Sequence, residues 1–294
     1  MYSSLLKKAA GTLANSFLLR REKTLFSENL KNWNLSLSKF DKLSLGLWLI
    51  LNDYSKGLFP PVFLDQQKAY QAEKNYRFAI PGLSVAEVVR GAMSKPFWFG
   101  KWSRIYLLHY IQIIACLERL GIQPPSKILE LGCGSGWMAE FLGASGFEVC
   151  GTTISGDDVT DANRRIESLK IKGLSPALKF IAVPMESVHS AVSGELFDAA
   201  FVYEALHHAF DWRDAIRSTH ACLRKSGWLL ICNEPNVLHT CVSYRVAKVS
   251  NTHEIGFRKN ELISELRKIG FTKIISCGAK AHFWVRPHWL LAQK

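Results

Sequence analysis

The stretch Ile128–Trp137, ILELGCGSGW, constrains the fold of this chain more than any other. An apolar pair follows Lys127, a carboxylate stands at Glu130, and glycines recur at Gly132, Gly134 and Gly136. A helix-like run, Trp137–Leu142, takes over at once. A short apolar segment, a glycine turn and a helix make the strand–turn–helix found at the carboxyl edge of a doubly wound parallel sheet. Glycine lets backbone approach a ligand where a Cβ would collide, and the helix start presents unpaired N–H groups. The spacing is G-x-G-x-G, whereas the dinucleotide fingerprint G-x-G-x-x-G needs its third glycine where Trp137 stands. That spacing argues against a hydride-transferring dehydrogenase.

Strand-like and helix-like segments alternate from Lys127 onward, which predicts a parallel sheet with helices on both faces. Phe147–Thr152, Leu178–Val183, Phe197–Tyr203 and Trp228–Asn233 read as strands two to five. Asp161–Lys170, Asp214–Leu223 and Lys259–Ile269 read as helices, the last closed by Gly270. Thr272–Cys277 and Ala281–Arg286 read as a sixth and a seventh strand, joined at Gly278 as an antiparallel hairpin. The chain divides into a helical, basic region over 1–125 and an α/β domain over 126–294.

The 294 residues suffice for a large core, and an apolar content of 48% with 21% charged residues is that of a globular enzyme. Seven scattered cysteines form no C-x-x-C pair, which points to free thiols, a reducing compartment and no structural metal. No apolar run approaches the ~20 residues of a membrane-spanning helix. These features lead us to expect a cytoplasmic protein, with peripheral contact at the inner membrane surface as the alternative. The net charge of +12 is uneven: residues 1–125 carry 17 Lys/Arg against 8 Asp/Glu, and residues 126–294 carry 20 against 17. The basic excess suits an anionic membrane surface or an anionic substrate. It is not gathered into runs, and no D/N-P-P-Y/F tetrapeptide is present, which argues against a nucleic-acid partner.

Residues 1–21 contain Lys7, Lys8, Arg20 and Arg21 and no acid, with Leu5, Leu6, Ala9, Leu13, Phe17 and Leu18 near helical spacing. Such a segment lies on a membrane surface, serves as a transit peptide, or packs one face on the domain. It lacks the long apolar core and cleavage site of a secretory signal. Pro60-Pro61 marks a loop, Val85–Met93 reads as a helix, and Pro96–Trp102 gathers four aromatics suited to core packing or to roofing a pocket. Ile105–Leu120 is apolar nearly all round, as a buried helix would be.

The run from Glu130 to Gly136 resembles motif I of the class I S-adenosylmethionine-dependent methyltransferases. Two further stretches match that family in order: FDAAFVYEALHHAFD, Phe197–Asp211, and LRKSGWLLICNEP, Leu223–Pro235. The resemblance covers about residues 126–286. It implies a Rossmann-like seven-strand sheet with its last strand antiparallel, and S-adenosyl-L-methionine as cofactor. It also implies that Glu130, Gly132, Gly134 and Gly136 frame the amino acid end of the ligand. The family's ribose-gripping acid at the end of the second strand is replaced here by Thr153, followed by Ile154, with Asp157 and Asp158 the nearest carboxylates. Val183-Pro184-Met185-Glu186 matches the adenine stretch, with Met185 as a wall and Glu186 beside it. Tyr203 closes the fourth strand next to the cofactor.

Methyl transfer asks mainly for alignment, because the sulfonium is already an activated leaving group. An oxygen acceptor also needs a proton receiver, and histidine has the right intrinsic pKa. His207 and His208, beside Glu204, are therefore the catalytic candidates. Their side chains diverge, so one is expected to face the chemistry. His239 and His253 are read as structural. No Asp/His spacing marks a metal site, and no metal ligand is assigned. The acceptor class is a small molecule, a saccharide or a lipid-linked hydroxyl. A cyclopropane-synthase-like lipid-modifying enzyme is an alternative suggested by GTTIS, although ALHHAFD lacks the glutamate that precedes the histidine there. A non-catalytic binding subunit is the other, weakened by the intact glycine motif.

Overall fold

A computed structural model describes residues 2–16, 19–29, 37–58, 65–76, 83–97, 100–250, 252–278 and 287–294. Seven strands form one sheet in the order β3-β2-β1-β4-β5-β7-β6. They are β1 (Lys127–Leu131), β2 (Glu148–Thr153), β3 (Leu178–Ala182), β4 (Phe197–Tyr203), β5 (Leu223–Glu234), β6 (Lys273–Ser276) and β7 (His288–Gln293). Strands β1 to β5 pair in parallel, and β7 runs antiparallel between β5 and β6. The seven-strand Rossmann-like arrangement with an antiparallel last strand is thus present.

Successive side chains of a strand face opposite sides of the sheet, and the core divides accordingly. Leu129, Leu131, Ala200, Val202, Leu229 and Ile231 pack on one face, against helices that follow β4 and β5. Ile128, Val149, Ala199, Phe201, Trp228 and Leu230 pack on the other. Both faces being covered, the central strands read as continuous apolar runs, as parallel strands do.

Two expectations need correction. The stretch Ala281–Arg286 lies outside the described residues, and the seventh strand is His288–Gln293, the chain's last apolar run. It fills the gap between β5 and β6, burying Trp289, Leu290, Leu291 and Ala292. The helix read as buried all round spans Lys101–Arg119 and buries one side only, through Ile113, Cys116 and Leu117. Leu108 and Ile111 stay 62% and 60% exposed, because the helix lies on the outside of the sheet with a single face against it.

Ahead of this helix the described residues form α1 (Tyr2–Ala14), α2 (Arg20–Asn29), α3 (Lys39–Ser55), α4 (Gln66–Lys74) and α5 (Val85–Met93). The Lys101–Arg119 helix is α6. Helix α5 begins with a capping box, in which the Ser84 hydroxyl accepts from the Glu87 N–H and the Glu87 carboxylate accepts from the Ser84 N–H. Leu45, Trp48 and Leu49 of α3 pack with Ala14 and Tyr244, the latter from a helix over Leu238–Ser250 that follows β5. A Cβ on Gly46 would come within 1.6 Å of the Cys241 carbonyl oxygen, so the two backbones touch there. Buried Asp53 accepts from the Tyr244 hydroxyl at 2.9 Å and from Lys248 Nζ at 2.6 Å. The N-terminal helices are thereby fastened to the segment that follows β5.

Candidate functional site

The site lies along the carboxyl ends of β1, β2, β4 and β5. Gly132, Gly134 and Gly136 all have positive φ (68°, 50° and 73°), a conformation L side chains rarely adopt. They serve different ends. A Cβ on Gly132 would sit 2.4 Å from Ala205 Cβ, and one on Gly136 would meet Phe180 and Ala162 within 3 Å. A Cβ on Gly134 would meet nothing within 4 Å, so this position opens on free space instead of on protein. Glu130, two residues ahead of Gly132, is buried, and its Oε2 has no hydrogen-bond partner in the protein. Burial pushes its carboxyl up to about 8, against the opposing pull of the Ala139 N–H and of Arg165. An orphaned carboxylate oxygen beside an open glycine cradle fits a ligand that carries an ammonium, as the amino acid end of S-adenosylmethionine does.

Thr153 ends β2, and its hydroxyl donates to Asp158 Oδ2 at 3.3 Å. A carboxylate from the first turn of the next helix, Gly156–Ile171, thus stands beside the end of the strand. Asp158 and Ser155 line a cavity roofed by Val88 and Ala92 of α5 and by Glu73 and Tyr76 at the end of α4. Ile154 lies half-buried between Thr153 and Ser155. The roof is pinned by Arg165, which no sequence pattern singled out. Its buried guanidinium donates to the Ser135 carbonyl of the glycine loop at 2.8 Å. It also donates to Ala92 and Met93 carbonyls at 2.9 and 3.0 Å and pairs with Glu140 at 2.6 Å. The last carbonyls of a helix have no partner within it, and a cation is the natural one to supply. The aromatic segment behaves differently from a buried one: Phe97 and Trp102 are largely exposed. Trp98 and Phe99 lie outside the described residues.

Met185 borders the cradle, its Cε 2.8 Å from the position a Cβ on Gly132 would take. Glu186 uses Oε1 to accept from the Asp211 N–H at 3.0 Å, holding the loop after β4. Tyr203 directs its hydroxyl to His109 Nδ1 at 2.8 Å, which ties β4 to α6. Glu204 adopts a left-handed conformation at φ 48° and accepts from Asn233 Nδ2 at 2.5 Å. It is therefore turned toward the end of β5.

His207 and His208 follow in a single 3-10 turn, Leu206–His208. Glu234, fully buried at the end of β5, organises this turn. It accepts from the Ala205 and Leu206 N–H groups at 2.8 and 2.9 Å and from the His207 N–H at 3.2 Å. His207 Nδ1 lies 2.9 Å from Glu234 Oε2. Burial alone would raise the Glu234 carboxyl, but His207 and the backbone donors hold it low. The ionised carboxylate is placed to accept from Nδ1–H, and Nε2 then faces Glu254 Oε2, 3.9 Å away. His208 lies between two other carboxylates, with Nδ1 3.4 Å from Glu73 Oε2 and Nε2 3.8 Å from Glu254 Oε1. Its burial favours the neutral ring, but Glu254 and Glu73 outweigh that and hold it up at about 10. His239, whose Nε2 is 3.0 Å from Glu254 Oε2, and Glu254 complete the cluster. His253 bonds to the Ala209 carbonyl through Nδ1 and to Glu73 through its backbone N–H.

The sequence reading missed Glu73, Glu234 and Glu254, which come from three separate parts of the chain. Only Glu234 had a local signal, its place at the end of a matched strand.

A methyltransferase-domain profile matches residues 107–275, more than half of the chain. Ubiquinone biosynthesis O-methyltransferase of Bordetella pertussis is 26% identical over 156 residues, covering 51% of this chain and 61% of that protein. Its counterpart in Ruegeria pomeroyi is 28% identical over 158 residues, covering 49% and 60%. The chain spans about three-fifths of the length of these relatives. Magnesium protoporphyrin IX methyltransferase from Synechocystis PCC 6803, solved with bound SAH, superposes with a TM-score of 0.57 at 16% identity. That superposition covers 77% of this chain and 99% of that one, and it shows a shared fold. Sheet order, glycine cradle and domain profile agree, and the chain belongs to the methyltransferase-domain family as a class I, S-adenosylmethionine-dependent member.

Proposed function

We propose that this chain methylates a hydroxyl oxygen of a small-molecule acceptor, with His207 as the residue that activates it. The observation that carries the reading is the buried His207–Glu234 pair, which presents Nε2 in one orientation at the end of β4. The relatives named as ubiquinone biosynthesis O-methyltransferases also act at oxygen, which supports the choice of acceptor atom. When bound, S-adenosylmethionine supplies a methyl group on a positively charged sulfur. Glu130 receives its ammonium, Gly134 leaves room beside it, and Gly132 and Gly136 let the loop pack. Asp158, held by Thr153, accepts from the ribose hydroxyls, while Ile154 and Met185 flank the adenine, with Glu186 and Tyr203 fixing the loop and strand around it. Glu204 shapes the turn from which His207 and His208 emerge. Because both ring nitrogens of His208 face carboxylates, it serves the packing of the site.

The test compares two variants with a phenolic acceptor panel and isotopically labelled S-adenosylmethionine. His207→Ala should lower turnover by roughly 10²–10⁴-fold, with S-adenosylhomocysteine affinity retained. His208→Ala should mainly lower thermal stability. Product mass spectra that place the methyl on nitrogen or sulfur, or wild-type turnover in His207→Ala, would overturn the proposal.

We further propose that the protein is cytoplasmic and contacts an anionic membrane surface through its N-terminal helices. Among the described residues no helix is long and apolar enough to cross a membrane.

A further inference from the structure

Three donors from separate parts of the chain converge beside the acceptor end of the site. His207 stands in the turn after β4, His239 in the helix after β5, and Glu254 in the loop beyond that helix. A nitrogen of each imidazole and a carboxylate oxygen of Glu254 all lie within 4.8 Å of one another. His239 Nε2 is 3.0 Å and His207 Nε2 3.9 Å from Glu254 Oε2. The rings of His207 and His239 meet edge to face, with centroids 5.4 Å apart. We propose that His207, His239 and Glu254 bind a divalent first-row transition-metal ion, with Zn²⁺ the best match to two imidazoles and one carboxylate.

Donors at ~2.0–2.2 Å around a tetrahedral ion stand ~3.3–3.5 Å from one another, so each donor needs to move by less than about 1 Å. The surroundings are built for such an ion. A ligating histidine usually gives its second ring N–H to a carboxylate, which fixes the tautomer and strengthens the donor. His207 does this toward Glu234, itself anchored by three backbone N–H groups. Glu254 is steered in turn, its Oε1 lying 3.8 Å from His208 Nε2. Burial of His207 and Glu254 keeps water from competing for the donors.

A three-ligand site leaves a coordination position open, and two-histidine, one-glutamate sets of this kind are those of hydrolytic zinc enzymes. The role of the ion rests on the methyl-transfer reading above. An acceptor hydroxyl oxygen in the open position has a lowered proton affinity. Its proton passes to water as the O–CH3 bond forms and the S–CH3 bond breaks, the sulfonium becoming a neutral thioether. His207 would then activate the acceptor as a ligand instead of as a base.

Chelator-stripped protein titrated with Zn²⁺ in a calorimeter should bind one equivalent. Co²⁺ in its place should give the visible absorption of a coordinated ion. His239→Ala and Glu254→Gln should each abolish the one-equivalent site. Glu254→Gln keeps the side-chain shape and decides the matter if His239→Ala fails to fold. His189→Ala, an exposed histidine elsewhere, should bind as the wild type does. Absence of stoichiometric binding, or unchanged affinity in Glu254→Gln, overturns the site and leaves His207 a simple base. S-adenosylhomocysteine titrated into the same stripped protein separates the two readings, since its binding needs Glu130 and the glycines and no metal.

Discussion

Gly132 and Gly134 are two residues apart and share a left-handed backbone, yet different neighbours demand them. Gly134→Val points its side chain into open space and meets no protein atom at Cβ, so the expected cost to folding is the left-handed strain, ~1–2 kcal/mol. Calorimetry should show S-adenosylhomocysteine binding lost while circular dichroism reports a folded domain. Gly132→Ala drives a methyl into Ala205 and Met185, and its expected effect is a clearly lower melting temperature. Glu130 makes a second prediction, through pH. Its carboxyl is raised from 4.5 to about 8 in the unliganded fold, so between those values the folded state holds a proton that the unfolded chain has released. Its contribution to stability is therefore full below about pH 4.5 and lost as pH rises through about 8. A ligand ammonium favours the carboxylate, so cofactor binding near pH 7 should release a proton. Calorimetry in buffers of different ionisation enthalpy should detect that release in the wild type and not in Glu130→Gln.

At the scale of elements, the cavity beside Asp158 owes its roof to one arginine. Helix α5 has no fully buried residue, so packing alone holds it weakly. Arg165 compensates by bonding its last carbonyls, the glycine loop and Glu140 at once. Arg165→Met would remove the guanidinium from the Glu140 carboxylate and from those carbonyls, and breaking a buried pair from one side costs ~3–5 kcal/mol. Urea unfolding should show a loss of that size, and S-adenosylhomocysteine affinity should fall with it as the roof loosens. Unchanged stability and affinity would mean that α5 is held by its apolar contacts after all. The Val85–Met93 helix itself was legible in the sequence, with the same bounds. The pin was not, because Arg165 sits among other charged residues of the Gly156–Ile171 helix and nothing local distinguishes it.

On the scale of the whole molecule, the basic excess and the exposed leucines lie together at the N-terminal end. Helix α1 turns Ala10 and Ala14 inward, while Leu5, Leu6 and Leu13 face outward, 62%, 57% and 53% exposed. Small residues inside and leucines outside invert the usual order of a surface helix, and exposed Lys7 and Lys8 flank them. An anionic bilayer complements both features. Sedimentation with phosphatidylserine vesicles should recover the protein at low salt, less at high salt, and less again for a Leu5→Ser, Leu6→Ser double variant. Equal recovery on neutral vesicles would remove the charge argument. What the sequence determined by itself was what depends on neighbours along the chain. That covers the glycine cradle, the alternation of strands and helices, β4 to the residue, and the turn carrying His207 and His208. The tertiary structure alone decided which groups meet across the sheet edge. It placed Asp158 under Thr153, clamped the turn with Glu234, and set Glu73, His239 and Glu254 around the two histidines. It also seated the last strand at His288–Gln293 and left Leu108 and Ile111 outside. Periodicity and turn chemistry act over a few residues, whereas burial and convergence are properties of the packed sheet and become visible only when distant segments share its edge.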